Sequence, residues 1–257
     1  MNPAQTRLNP THLRTNQNQS VRKYFDEALG LGLFMFSAGF FDALIDYPGL
    51  PIRQHISSAL LRRFLIGLSM GLTALYIFTS RFGKQSGAYI NPAVTLVRYR
   101  LGQINKTDSV FYTLFQFIGG SLGMRLVSVL FPRWMKDPAI NYIITVPGKA
   151  GVAMAFLMEF LISLVLILVV LLMGDKKRIE KYTSFVVSAL ITLYITFEAP
   201  FSGMSMNPAR TFASAVVANQ WPSFWLYCLA PPVGMWIGAS VYLRIRSKPG
   251  ANVSTVA

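Results

Sequence analysis

The polar chemistry of this chain is concentrated in a stretch that occurs twice: Ser86-Gly87-Ala88-Tyr89-Ile90-Asn91-Pro92-Ala93-Val94-Thr95 and Ser202-Gly203-Met204-Ser205-Met206-Asn207-Pro208-Ala209-Arg210-Thr211. Both read Ser-Gly-x-x-x-Asn-Pro-Ala-x-Thr. An Asn oxygen is suited to cap the free N–H groups of a helix start, and a following Pro fits the first helical position. The earlier Gly admits backbone angles that other residues avoid. Each stretch is therefore expected to be a non-helical approach running into a short helix that starts abruptly. The amide protons of Asn91 and Asn207 remain free to donate, and each helix start presents the positive end of a dipole. Such groups suit an uncharged hydrogen-bonding molecule and disfavour a cation. They perform no covalent chemistry, and no cofactor is expected. His12 and His55 are the only histidines, and both fall in polar or loop-like segments. With Cys228 as the single cysteine, little remains for a metal or acid–base centre, and no intramolecular disulfide can form. A third Asn2-Pro3-Ala4 lacks both the Ser-Gly and an apolar setting, and reads as coincidence.

The copies differ at one telling position, where Arg210 stands in place of Val94. An arginine just inside a membrane half-helix costs roughly 2.5–3.5 kcal/mol unless it faces water or partners. One reading is a side chain that snorkels to the interface. The other is a fixed positive charge in a narrow passage, donating to a neutral solute and repelling protons and cations. Glu27 and Glu159 are the notable acids within apolar spans. A proton-coupled carrier would use them directly. Their symmetric placement favours instead a carboxylate that holds the irregular loop of its own half by accepting hydrogen bonds.

The elements that must position these residues are membrane spans. The 257-residue chain is 53% hydrophobic and 13% charged, with a mean hydropathy of +0.44. Several apolar stretches reach the roughly 20 residues that cross a bilayer. Spans are expected at about 24–45, 58–79, 109–131, 150–173, 182–199 and 222–245. The fourth is broken in its interior only by Glu159 and Ser163. The helices after Asn91 and Asn207 have room only to about Gly102 and Ala218, near half a bilayer. Segments 83–91 and 200–207 are too short and polar to span. Irregular backbone at that depth is tolerated only when buried in protein or lining a watery path.

The net charge of +14 raises the alternative of nucleic-acid binding. The basic residues lie between apolar spans, however, as membrane topology demands, and such a protein would be soluble without detergent. Sixteen Lys/Arg fall in the two tails, the 81–106 connection and the 175–181 loop, against about seven on the other side. The termini are therefore expected to be cytoplasmic. The halves answer each other beyond the doubled motif. Glu27-Ala28-Leu29-Gly30 corresponds to Glu159-Phe160-Leu161-Ile162, and Gln116-x-x-Gly119 to Pro231-x-x-Gly234. Three spans per half place the second half the other way up, so the half-helices meet near the midplane. Glycines four apart, at 67 and 71, 119 and 123, and 234 and 238, mark close helix contacts.

Asn91-Pro92-Ala93 and Asn207-Pro208-Ala209-Arg210, with Glu27 and Glu159 opening each half, resemble the aquaporin/glycerol-facilitator (major intrinsic protein) family over about residues 24–245. The resemblance implies an all-α membrane protein with six transmembrane helices and two re-entrant half-helices in an inverted repeat. It further implies a homotetramer in the lipid bilayer of a plasma or inner membrane, with one pore per subunit that passes water or small uncharged solutes. Residues 1–22 are expected to be a disordered cytoplasmic tail, 23–248 one channel domain with half-repeats at about 23–131 and 150–245, and 249–257 a second tail.

Matched onto this sequence, the resemblance implies a selectivity filter of Arg210, Met204, Ile195 and either Met70 or Gly71. Glycerol facilitators usually carry Asp after that arginine, whereas this chain has Thr211, closer to water-selective members. Those members place His where Ile195 falls and an aromatic at the second-span position, so this filter is less polar. Tyr227 and Cys228 fall where many water channels have two aromatics. The expected function is a passive water channel that also admits small neutral solutes. A small-polyol facilitator and a proton-coupled transporter are the alternatives.

Overall fold

A computed structural model of the protein describes residues 10–247. The described residues fold as a helical bundle in which six helices are long and apolar enough to cross a membrane. The first half comprises α1 (Pro10–Asp46), α2 (Ala59–Thr79), the short α3 (Pro92–Arg100) and α4 (Lys106–Leu130). The second half comprises α5 (Gly151–Gly174), α6 (Thr183–Leu193), the short α7 (Pro208–Ala218) and α8 (Phe224–Arg246). A π-helical turn, Tyr194–Glu198, and a last helical turn, Ala199–Ser202, prolong α6.

Local chemistry accounts for where these helices begin. Ser58 and Asn105 cap α2 and α4 through bonds from Leu61 N and Asp108 N. Asn91 and Asn207 cap α3 and α7, each followed by Pro at the first helical position. Pro48 and Gly49 end the first span, and the chain turns through a short helix, Pro51–His55, into α2. Pro231 and Pro232 sit inside α8 without ending it. Membrane helices tolerate proline where neighbouring helices re-satisfy the freed carbonyls.

Three segments differ from the sequence expectation. Helix α1 begins at Pro10, so much of the segment expected as an irregular tail is helical; a proline start followed by no further Pro or Gly before Gly30 explains this. Residues 1–9 and 248–257 lie outside the described residues. Segment 83–91 is irregular only from Gly87, because Ser80 accepts from Gly83 N at 3.0 Å and caps a further short helix, Arg81–Ser86. Segment 200–207 is irregular only from Gly203, since the last turn of the α6 extension runs through Pro200.

Packing repeats between the halves. Helix α1 lies against α4, and α5 against α8, so the first and third spans of each half pair. Each half-helix also packs on the third span of the opposite half, α7 on α4 and α3 on α8. The pairs touch through glycine. A side chain on Gly123 would strike the backbone of Gly32, and one on Gly234 the backbone of Phe160. The Gly67 and Gly71 backbone likewise approaches α6, at Thr192 and Ser188. Such contacts let transmembrane helices gain dispersion energy that lipid cannot replace.

Gly123→Leu is expected to force α1 from α4 and cost about 2–3 kcal/mol. A lowered midpoint of thermal unfolding in detergent would register it. An unchanged midpoint would show that the α1–α4 contact is slack.

Candidate functional site

Two buried carboxylates organise the irregular segments. Glu27 and Glu159 are 0% exposed. Glu27 Oε1 accepts from Ser86 Oγ at 2.7 Å and Tyr89 N at 2.9 Å, while Oε2 accepts from Ile90 N at 2.6 Å and Gln116 Nε2 at 2.7 Å. Glu159 Oε1 accepts from Ser202 Oγ at 2.8 Å and Ser205 N at 2.7 Å, and Oε2 from Met206 N at 2.7 Å. The second carboxylate lacks a Gln116 equivalent because Pro231, at the matching position, has no donor in its side chain. A tyrosine braces each loop from the third span of its half: Tyr112 Oη donates to Ser86 O at 2.8 Å, and Tyr227 Oη to Ser202 O at 2.7 Å.

These bonds hold an unusual backbone. Gly87, Ala88 and Ile90 have φ of +92°, +45° and +39°, and Gly203, Met204 and Met206 have +79°, +48° and +54°. Left-handed angles are costly for Ala, Ile and Met, so they persist only where the surroundings over-determine them. The carboxylates do this by drawing successive N–H groups to one side, which leaves the carbonyl edge facing away. Residues 87–91 and 203–207 all line a single cavity of about 520 Å³.

The asparagines close the junction between halves. Asn91 Oδ1 accepts from Ala93 N at 2.9 Å, and Asn207 Oδ1 from Ala209 N at 3.0 Å and Arg210 N at 3.3 Å. Asn91 Nδ2 donates to Met206 O at 2.7 Å, and Asn207 Nδ2 donates to Ile90 O at 2.8 Å. Each amide thus spends one proton on the opposite loop and keeps one for the cavity, rather than the two expected from sequence. Pro92, Ala93, Pro208 and Ala209 form the first turns of α3 and α7 immediately behind.

At one mouth the cavity is lined by Asp42, Asp46 and Arg63, from the end of α1 and the start of α2; at the other by Arg98, Thr183 and Ser184. Arg210 lines the cavity and is pinned by the loop between α4 and α5. Its Nη1 donates to Ile143 O at 3.1 Å and to Thr145 Oγ1. Thr211 reinforces this side, bonding Ser205 Oγ at 2.5 Å and Thr145 Oγ1 at 3.2 Å.

Of the residues singled out from sequence, Met70, Ile195, Met204 and Arg210 all line the cavity. Gly71 faces Thr192 and Ser188 of α6 in the interhelical contact, so of the two second-span candidates Met70 is the one that lines the cavity, together with Arg63, Ile66 and Phe78 of the same helix. Asp42, Arg63 and Thr145 were missed. Asp42 sits in an aromatic-rich run, Arg63 beside Arg62 has the look of an interfacial basic pair, and Thr145 lies in a loop without periodicity.

Replacing Glu159 by Ala would strand two backbone N–H groups and the Ser202 hydroxyl, at about 1–3 kcal/mol each. Glu159→Ala should therefore lower the unfolding midpoint in detergent far more than Glu180→Ala in the exposed loop before α6. Equal midpoints would remove the carboxylate from its supporting role.

The chain is similar to known proteins in sequence and in fold. The model of the family described as major intrinsic protein matches residues 14–242. Aquaporin-4 of Bos taurus is 30% identical over 183 residues, covering 69% of this chain and 55% of that protein. Aquaporin NIP6-1 of Arabidopsis thaliana is 32% identical over 180 residues, covering 69% and 56%. The chain thus spans about half the length of the curated relatives it matches. The solved structure of the aquaglyceroporin from Plasmodium falciparum superposes with a TM-score of 0.77 at 22% identity, covering 89% of this chain and 97% of that one, a likeness of fold. The doubled motif and its carboxylates thus sit in a known frame: this chain belongs to the major intrinsic protein family.

Proposed function

We propose that the protein is a passive channel for water that also admits small uncharged solutes. One observation carries this reading: a single cavity runs from Asp46 and Arg63 past both asparagines to Arg98, with residues 87–91 and 203–207 in its wall. A molecule passing along it exchanges water for fixed acceptors and for the remaining Asn91 and Asn207 protons. The starts of α3 and α7 converge on the same point, so two positive dipole ends oppose a cation there. The Asn91-Pro92-Ala93 and Asn207-Pro208-Ala209 turns act as the pore centre, and Arg210, Met204, Ile195 and Met70 act as the filter. Relatives named as aquaporins support the assignment.

The termini lie in the cytoplasm, on the side that carries most of the loop and tail Lys/Arg. The Arg210 mouth then opens outward from a plasma or inner membrane. Leu72 and Tyr76 of α2 are more than half exposed in the single chain, in keeping with a homotetramer embedded in lipid. A small-polyol facilitator is the second reading. Met70, Ile195 and Met204 share the cavity wall with Arg210, a mixture of apolar and polar lining that suits a solute with both CH and OH faces.

Proteoliposomes carrying the protein should shrink faster than empty vesicles under an osmotic step; equal rates would end the water reading. Shrinkage and recovery in a glycerol gradient separates the polyol reading from a strict water channel. Arg210→Val, which makes the second motif like the first, should keep water flux and weaken exclusion of protons or larger solutes. Unchanged selectivity would remove Arg210 from the filter.

A further inference from the structure

The tandem Arg62-Arg63 at the start of α2 divides its work. Arg62 is buried and turned into the protein, with Nε on Asp46 Oδ1 at 2.5 Å and Nη1 on Ile56 O at 2.6 Å and Ser57 O at 2.9 Å. Arg63 faces the cavity instead. Its position is set by the π-helical turn that prolongs α6. Thr196 lies in that turn just before Pro200, which has no N–H to donate, and Arg63 Nε donates to the Thr196 carbonyl at 3.2 Å. This fixes the guanidinium beside Ile195. One turn further along α2, Gly67 packs against Ile195 Cβ; a side chain built there would lie 3.3 Å from it. Gly67 is thus taken up by its contact with the second half, and Arg63 is the charged side chain that α2 offers the mouth. Both Nη groups of Arg63 lack a hydrogen-bond partner among the described residues, and neither is sealed in the interior. Of the two acids at this mouth, Asp46 is engaged by Arg62 and Arg53, which leaves Asp42 as the acid without an ion pair among the described residues.

We propose that Arg63 is a second cationic selectivity residue, adding a fixed positive charge to the Arg210 mouth and sharing with Arg210 the exclusion of cations and protons. The proposal rests on the channel reading. Arg210 is anchored to the α4–α5 loop and Arg63 to α6, so the two charges are held independently on different walls. A permeating cation meets both in the same mouth, while a water molecule gains donors from both. Loss of one guanidinium leaves the other in place, so Arg210→Val alone should leak only in part.

The test uses the full chain in proteoliposomes, with water flux read by osmotic shrinkage and proton entry by an internal pH dye under a clamped potassium potential. Arg63→Gln, Arg63→Lys, Arg210→Val and the double variant Arg63→Gln/Arg210→Val are compared at matched water flux. The double variant should admit protons about tenfold faster than Arg210→Val, while Arg63→Lys stays as tight as the parent. A double variant no leakier than Arg210→Val would overturn the proposal. If the double variant loses water flux through misfolding, the two Arg63 variants decide: leak in Arg63→Gln but not in Arg63→Lys supports the charge, and equal tightness sinks it. Failure of the parent to speed water flux is a separate result and would refute the channel reading itself.

Discussion

Everything in this fold depends on giving partners to backbone N–H groups at a depth where water is not freely available. An α-helix supplies such partners within itself, but residues 87–91 and 203–207 leave the helical path. Glu27 and Glu159 stand in for the missing turn, each accepting from two consecutive backbone N–H groups and a serine. Burying a carboxylate costs several kcal/mol and is sustained only by several good donors. The exchange has a directional result: with their N–H groups bound to a carboxylate, Ile90 and Met206 offer their carbonyls to the asparagine amides of the opposite loop, and both loops line the cavity. The polar wall is thus a by-product of how the loops are held.

The second half repeats this plan with changes that break the symmetry. Gln116 and Thr95 support the first loop, where Nε2 of Gln116 also reaches Thr95 Oγ1 at 3.1 Å. Pro231 cannot follow, and the second loop relies on Ser205, Thr211 and Thr145 instead. That substitute network reaches into the loop between α4 and α5, which also holds Arg210. The two halves therefore fold alike at the carboxylates and diverge toward the Arg210 mouth, where Arg210 stands in place of Val94.

The sequence made the spans, half-helices and carboxylates legible because each has a strong local signature. These are long apolar runs, Asn-Pro at a helix start, and a lone acid in an apolar setting. The residues it concealed act through tertiary placement. Nothing in periodicity says that Arg62 turns inward and Arg63 toward the cavity, because adjacent helical positions differ by about 100° and only packing decides which faces what. Gly71 and Met70 posed the same problem, resolved by the close approach of α2 and α6. The short Arg81–Ser86 helix escaped because Gly83 argues against a helix locally, whereas the Ser80 cap and the start of the Glu27-bound loop impose one.

The asparagine ties have a consequence for how the molecule is built. The side chain of Asn91 bonds to the carbonyl of Met206, 115 residues later, and Asn207 reaches back 117 residues to Ile90. During synthesis the first half can pair α1 with α4 and seat its loop on Glu27, because all of those partners are already made. Its asparagine amide then waits for the second half to enter the bilayer in the opposite sense. The meeting of the two loops closes a long stretch of chain, as does the bond from Arg63 to Thr196 across 133 residues, and such long-range contacts are slow to form. The midpoint of the passage is therefore finished only after both halves are made, and each half serves as the mould for the other.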